Sequence, residues 1–186
     1  MRGGLALWTL FLGFTVLMVG NGLNLAVLGV RMVDEGFDVR ASGAVMACYF
    51  AGFLLGPVLV VRWLSGVGHI RVFASLASLA SCVVLVHFVW VNPVSWGVLR
   101  FVFGFCMAGL YVVVESWLND ASTPSTRGRT LAAYMIASMG GLGLGQLLIA
   151  TGDPGDAKLF VVSSILVSMS FVPIALAATT EAPPVR

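Results

Sequence analysis

Six runs of roughly twenty apolar residues, separated by short polar breaks, constrain this chain more than any single motif. A bilayer core about 30 Å thick is crossed by about 20 residues of apolar helix. The runs meet that length at about Leu5–Met32, Ser42–Val61, Val72–Val91, Trp96–Leu118, Thr130–Ala150 and Leu159–Ala178. They are continuous rather than alternating, so they read as helices and not as the period-two strands of a membrane barrel. In lipid a backbone must satisfy its own hydrogen bonds, which for such runs leaves the helix. The breaks hold most of the charges: Asp34, Glu35 and Asp38 in the first, Arg62, His69 and Arg71 in the second, Asp120, Arg127 and Arg129 in the fourth. Asn92-Pro93 reads as a tight turn, and Thr-Gly-Asp-Pro-Gly-Asp-Ala-Lys over 151–158 as another.

Composition narrows the function. Of 186 residues 10% are charged and the net charge is +2, where a soluble domain carries about 25% charged residues. So few charges cannot cover a wet surface. That excludes an ordinary soluble enzyme, a disordered chain and a nucleic-acid binder. The first apolar run is about twice the length of a signal-peptide core and ends without a small-residue cleavage site, so it reads as the first span. Cys48, Cys82 and Cys106 are isolated in apolar runs with no CxxC and no partner histidine. They read as small buried hydrophobes, with no disulfide, metal or cofactor implied.

Orientation follows from Lys and Arg in short loops. One side holds Arg2, Arg62, Arg71, Arg127, Arg129 and Arg186, the other Arg31, Arg40 and Lys158. The excess puts both termini in the cytoplasm. Trp8, Trp63, Trp90, Trp96 and Trp117 fall near span ends, as an interfacial aromatic belt requires. His87 reads as interfacial and is given no role.

Polar residues inside spans are costly and mark function or interhelical contacts. Arg100 lies near the outer end of span four and Glu115 near its inner end. Fifteen residues of helix separate them by roughly 22 Å, so they do not pair with each other. Arg100 reads as a cation facing a central cavity, there to hold an anionic group or couple to a proton site. The alternative is snorkelling or a structural hydrogen bond. Glu115 reads as part of an inner charge cluster with Arg127 and Arg129. Asn21 and Asn24, three apart, share a face of span one and offer a polar cavity wall or interhelical glue. Tyr49, Tyr111, Tyr134 and Gln146 are amphipathic candidates of the same kind. Gly104 and Gly109 in span four, and Gly140, Gly141, Gly143 and Gly145 in span five, mark close helix packing. A shift of 85 residues lays Gly43 on Gly128, Tyr49 on Tyr134 and Gly56 on Gly141, the trace of two three-helix repeats in opposite orientation.

Four stretches carry a family likeness. They are Val67-Gly68-His69-Ile70-Arg71-Val72-Phe73 after span two, Leu99-Arg100-Phe101-Val102-Phe103-Gly104 at the start of span four, Glu115-Ser116-Trp117-Leu118-Asn119 at its end, and Arg127-Gly128-Arg129 leading to Tyr134 and the glycine-rich segment. In this order and spacing the chain resembles the N-terminal six-helix half of a major facilitator superfamily transporter, of a poorly characterised bacterial branch. The family signature after span two has an Asp and a basic residue where Ser65 and Gly66 stand here, so Glu115 or Asp120 would have to supply the acidic member.

The resemblance implies an all-α membrane protein, six transmembrane helices as a 3+3 inverted repeat over 1–180, with a cytoplasmic central loop beginning at 181–186. It implies a secondary active transporter that moves a small solute by alternating access and is present as a half-length, split or truncated chain. A separate C-terminal half or a second copy would complete it. Asn21, Asn24, Tyr49 and Arg100 would line this half of the cavity, and Gly68, Arg71, Glu115, Arg127 and Arg129 would gate its cytoplasmic side. Two rivals stand beside this reading. An intramembrane protease would need a paired Ser and His or facing Asp residues, which the sequence lacks. A structural or assembly membrane protein, inactive in transport, would tolerate apolar residues at Asn21, Asn24 and Arg100.

Overall fold

Each apolar run folds as a helix because only helical hydrogen bonding leaves no backbone group unpaired in hydrocarbon. The computed structural model describes residues 2–178, with side chains for 7–176. The expected loop at 181–186 lies outside the described residues. The helices are α1 (Arg2–Asp34), α2 (Val39–Val67), α3 (His69–Val89), α4 (Pro93–Ala121), α5 (Arg127–Leu147) continued by a 3₁₀ turn (Leu148–Thr151), α6 (Ala157–Met169) and α7 (Phe171–Ala178). No strand occurs among the described residues. Six segments are long and apolar enough to cross a membrane, the sixth being Ala157–Leu176.

Local chemistry sets the ends. Asp38 caps α2 by accepting from the Ala41 amide at 2.6 Å, and Asn92 caps α4 by accepting from Val94 at 2.8 Å. Pro93 opens α4 at a position where its missing N–H is no loss. Two boundaries differ from the sequence reading. The break expected over Arg62–Arg71 shrinks to Gly68, because α2 runs on to Val67 and α3 starts at His69. Gly68 makes so sharp a joint possible with φ 90°, a backbone angle that side-chain-bearing residues rarely adopt. The sixth span is two helices joined at Ser170. Pro173 follows closely; it has no N–H for the Met169 carbonyl, and its ring crowds that carbonyl.

α2 lies along α4 and α1 along α5; α3 packs on α4 and α6, and α1 on α6 and α7. Phe14, Leu17, Met18, Phe73, Phe103, Met107 and Leu110 are wholly buried in this core. Glycines set the tightest approaches. A Cβ on Gly104 would meet the carbonyl oxygen of Tyr49, and one on Gly52 that of Phe101. In the other pair, a Cβ on Gly145 would meet the carbonyl of Val19, and one on Gly22 that of Leu142. Gly109 sits against Leu76 and Val60, and Gly141 against Met18. Polar glue closes the seams of α6: towards α3 the Ser81 and Ser164 hydroxyls lie 2.7 Å apart and Ser168 donates to Ser81 at 2.7 Å, and towards α1 Ser163 donates to the Gly20 carbonyl at 2.9 Å. Each such bond contributes about 0.6–2 kcal/mol in lipid.

Burial is uneven. The apolar windows of α1 and α4 are 61% buried, those of α2 and α5 only 22%. α2 and α5 therefore present Phe50, Leu54, Val58, Ile136, Met139 and Leu147 outward. In water such a surface would drive aggregation; in a bilayer it is the expected face towards lipid or a second membrane lobe.

Candidate functional site

α1, α2, α4 and α5 line a partly open cavity of about 510 Å³. It is lined by Asn21 and Leu25, by Met46, Tyr49, Phe50 and Phe53, by Arg100 and Tyr111, and by Leu142. Its depth follows from helix rise. Asn21 lies thirteen residues from the Asp34 end of α1, Tyr49 ten residues from the Val39 end of α2, and Arg100 seven residues from the Pro93 end of α4. At 1.5 Å per residue these are roughly 20, 15 and 10 Å from one end of the bundle, so the cavity lies inside the bundle, clear of its ends. Arg100 is only 3% exposed. Its guanidinium carbon stands 4.5 Å from the centroid of the Tyr49 ring, and Nη2 reaches the Met46 thioether at 3.6 Å. Nε makes no hydrogen bond among the described residues. Tyr111 donates to the Met18 sulfur at 3.1 Å and packs edge-on to Phe53.

Three of the four residues assigned to a cavity wall from sequence, Asn21, Tyr49 and Arg100, thus meet in one cavity. Asn24 does not join them. It is 1% exposed inside the bundle, and neither amide atom has a hydrogen-bond partner among the described residues. Met46, Tyr49, Phe50 and Phe53 follow an i, i+3, i+4, i+7 spacing, so they form one stripe of α2. That spacing could have added Met46, Phe50 and Phe53 to the sequence-derived wall.

The opposite end of the bundle holds the five residues assigned to gating. Gly68 is the α2–α3 joint, and Arg71, Arg127 and Arg129 are exposed. Glu115 makes no ion pair among the described residues. Its Oε1 instead accepts from the Tyr134 hydroxyl at 2.6 Å, tying α4 to α5. Glu115 and Arg127 line the same small cavity of about 210 Å³ with Tyr134. Beside it His69 Nε2 meets the Ser116 hydroxyl at 3.0 Å, and the His69 ring lies against Trp117. Glu115 also lines a second space of about 380 Å³ with Tyr111, Tyr134 and Ser138.

The sequence matches the model of the Major Facilitator Superfamily over residues 10–185. The chain belongs to that superfamily. It is 36% identical over 149 residues to an uncharacterized MFS-type transporter of Enterobacter sp. strain 638, covering 73% of this chain and 38% of that protein. It is 42% identical over 113 residues to the uncharacterized MFS-type transporter YcaD of Salmonella enteritidis, covering 58% of this chain and 28% of the relative. With the YcaD protein of Escherichia fergusonii it shares 34% over 149 residues, 73% of this chain and 38% of the other. The aligned region is therefore under two fifths of the length of these relatives. No solved structure matches the chain.

In this superfamily member two residues read as interfacial from sequence are buried instead. Trp96 and His87 are each 0% exposed. Trp96 donates from Nε1 to the His87 carbonyl at 3.0 Å, and the rings meet edge to face at 5.7 Å. The tight Asn92-Pro93 turn brings these two helix ends together, so the indole finds its polar partner in protein rather than in lipid headgroups. Trp8, Trp63 and Trp90 are exposed. Arg31, counted from sequence only as a loop charge, anchors that same end. It pairs with Glu35 at 2.7 Å, donates to the carbonyls of Pro154 and Gly155, and stacks over Phe88 at 5.8 Å.

Proposed function

We propose that this multi-pass membrane protein is one lobe of a secondary carrier that moves a small solute by alternating access. One observation carries the reading. A cavity inside the bundle holds a guanidinium that is almost wholly buried, beside a tyrosine ring and an asparagine amide. An ionisable group kept at that depth is expensive, and a packed structural bundle has no use for one facing a void. The solute sits against Arg100, Tyr49 and Asn21. A second six-helix lobe, a separate chain or a second copy, covers the open side along α2 and α5. Gly68, Arg71, Glu115, Arg127 and Arg129 lie at the cytoplasmic mouth, with both termini on that side of the bacterial inner membrane.

Helix pairing supports the 3+3 arrangement within the lobe. Exchanging α1 with α4, α2 with α5 and α3 with α6 maps α1–α5 onto α4–α2 and α1–α6 onto α4–α3. The glycine contacts follow the same exchange. Gly22 and Val19 of α1 stand 82 residues before Gly104 and Phe101 of α4, while Tyr49 and Gly52 of α2 stand 93 residues before Leu142 and Gly145 of α5. Two offsets are needed because the chain between the paired contacts is longer in the second half, 27 residues from Gly22 to Tyr49 against 38 from Gly104 to Leu142, so a single shift of 85 does not align the contacts.

The test is uptake into proteoliposomes from a broad panel of labelled solutes, by the 186-residue chain alone and with a second lobe supplied. Saturable uptake of at least one solute is expected in one of the two arrangements. A folded, inserted chain that moves nothing in either leaves the structural or assembly role as the account of this bundle.

A further inference from the structure

Among the described residues the buried charge in the cavity has no counter-ion. No Asp or Glu lines the cavity. The partners of Arg100 are a ring face and a thioether sulfur, and its Nε has none among the described residues. A ring face and a thioether are weak acceptors and leave the positive charge unneutralised. The surroundings are otherwise apolar and aromatic, with Phe50, Phe53 and Tyr111 facing the same space. At low dielectric an unneutralised guanidinium attracts an anion strongly and repels a cation as strongly. Its planar fork matches the two oxygens of a carboxylate, which a lysine ammonium would not.

We propose that the solute of this cavity is an organic monoanion with a flat apolar body, its carboxylate held by Arg100 and its body packed on Phe50, Phe53 and Tyr111. The assignment rests on the carrier reading and names its substrate class. Tyr49 plays a second part in it. Its ring, 4.5 Å from the guanidinium carbon, occupies one face of the cation. The edge bearing the N–H groups remains for the carboxylate. Asn21, on the facing helix, adds an amide to the polar end of the cavity. Volume agrees with a single aromatic acid, since about 510 Å³ falls within the roughly 300–1,000 Å³ of small-molecule sites.

A charge-matched set of ligands tests this on the full chain in lipid nanodiscs: benzoate and indole-3-acetate, neutral benzamide, and cationic benzylammonium, each labelled and measured by equilibrium binding. The expected result is saturable binding of at least one of the two acids and none of the amide or the amine. Arg100→Gln should weaken that binding at least about thirtyfold, as loss of a buried charge partner does. Arg100→Lys, which keeps the charge and loses the fork, should weaken it only about tenfold. Size-exclusion profiles show which variants remain folded. If Arg100→Gln does not, the lysine variant and the ligand charge series still decide. Binding of benzamide or benzylammonium as tight as that of the acids, or acid binding unaffected at Arg100, overturns the anion assignment and leaves a carrier cavity of another class. No binding of any of the four ligands by the folded chain overturns the anion assignment, and the uptake panel then decides the carrier reading separately.

Discussion

Replacing Gly104 with alanine is expected to destabilise the bundle by about 2–3 kcal/mol, the upper part of the range for overpacking a core. The added Cβ would fall on the carbonyl oxygen of Tyr49. That oxygen belongs to the α2 backbone, so no side-chain rotation relieves the overlap and the helix itself must move. α2–α4 is a tight pair, and α2 carries the Met46–Phe53 stripe of the cavity. Displacing α2 therefore also disturbs the site. Gly140→Ala is the matched control. A Cβ there meets nothing within 4 Å, and the better helix propensity of alanine is worth up to about 1 kcal/mol. Thermal unfolding in detergent compares the two. The packing account fails if both substitutions change stability by the same amount.

The second large effect concerns Arg100→Ala. Insertion and folding should persist, because the change removes from the membrane a charge whose insertion costs about 2.5–3.5 kcal/mol. Uptake in the proteoliposome assay should fall about a hundredfold, the scale of losing a buried charge partner for the solute. A purely structural arginine would give the reverse pattern, with folding impaired and any residual folded protein fully active. Unchanged uptake by a well-folded variant would remove Arg100 from the site.

The spans were legible because each is a long apolar run bounded by charges, turn residues or proline. Their ends were less so. Arg62 and Ser65 look like the start of a loop by polarity, yet nothing in 62–65 opposes a helix, and Gly68 breaks it. Arg100 and Asn21 stood out as polar groups in apolar surroundings, and both reach the cavity. Asn24 shows the limit of that logic. Three residues of helix turn the side chain by about 60° away from its neighbour, enough to send Asn21 to the cavity and Asn24 into the bundle. The hydrogen bond of Glu115 with Tyr134 joins two helices whose relative rotation no local pattern encodes. Charge alone pointed to Arg127 and Arg129. The burial of Trp96 against His87 likewise depends on how a turn folds back, not on distance from a span end.

Water access to the wall beside Arg100 tests the central claim most directly. In a background with Cys48, Cys82 and Cys106 replaced by alanine, single cysteines go in at Asn21 and Met46 on the cavity wall, and at Leu79 and Ile165 on outward faces of α3 and α6. Membrane vesicles are then treated with a charged, membrane-impermeant thiosulfonate. The account predicts labelling at 21 and 46 and none at 79 and 165. Labelling of 21 and 46 only by a lipid-soluble maleimide, as at 79 and 165, would contradict it.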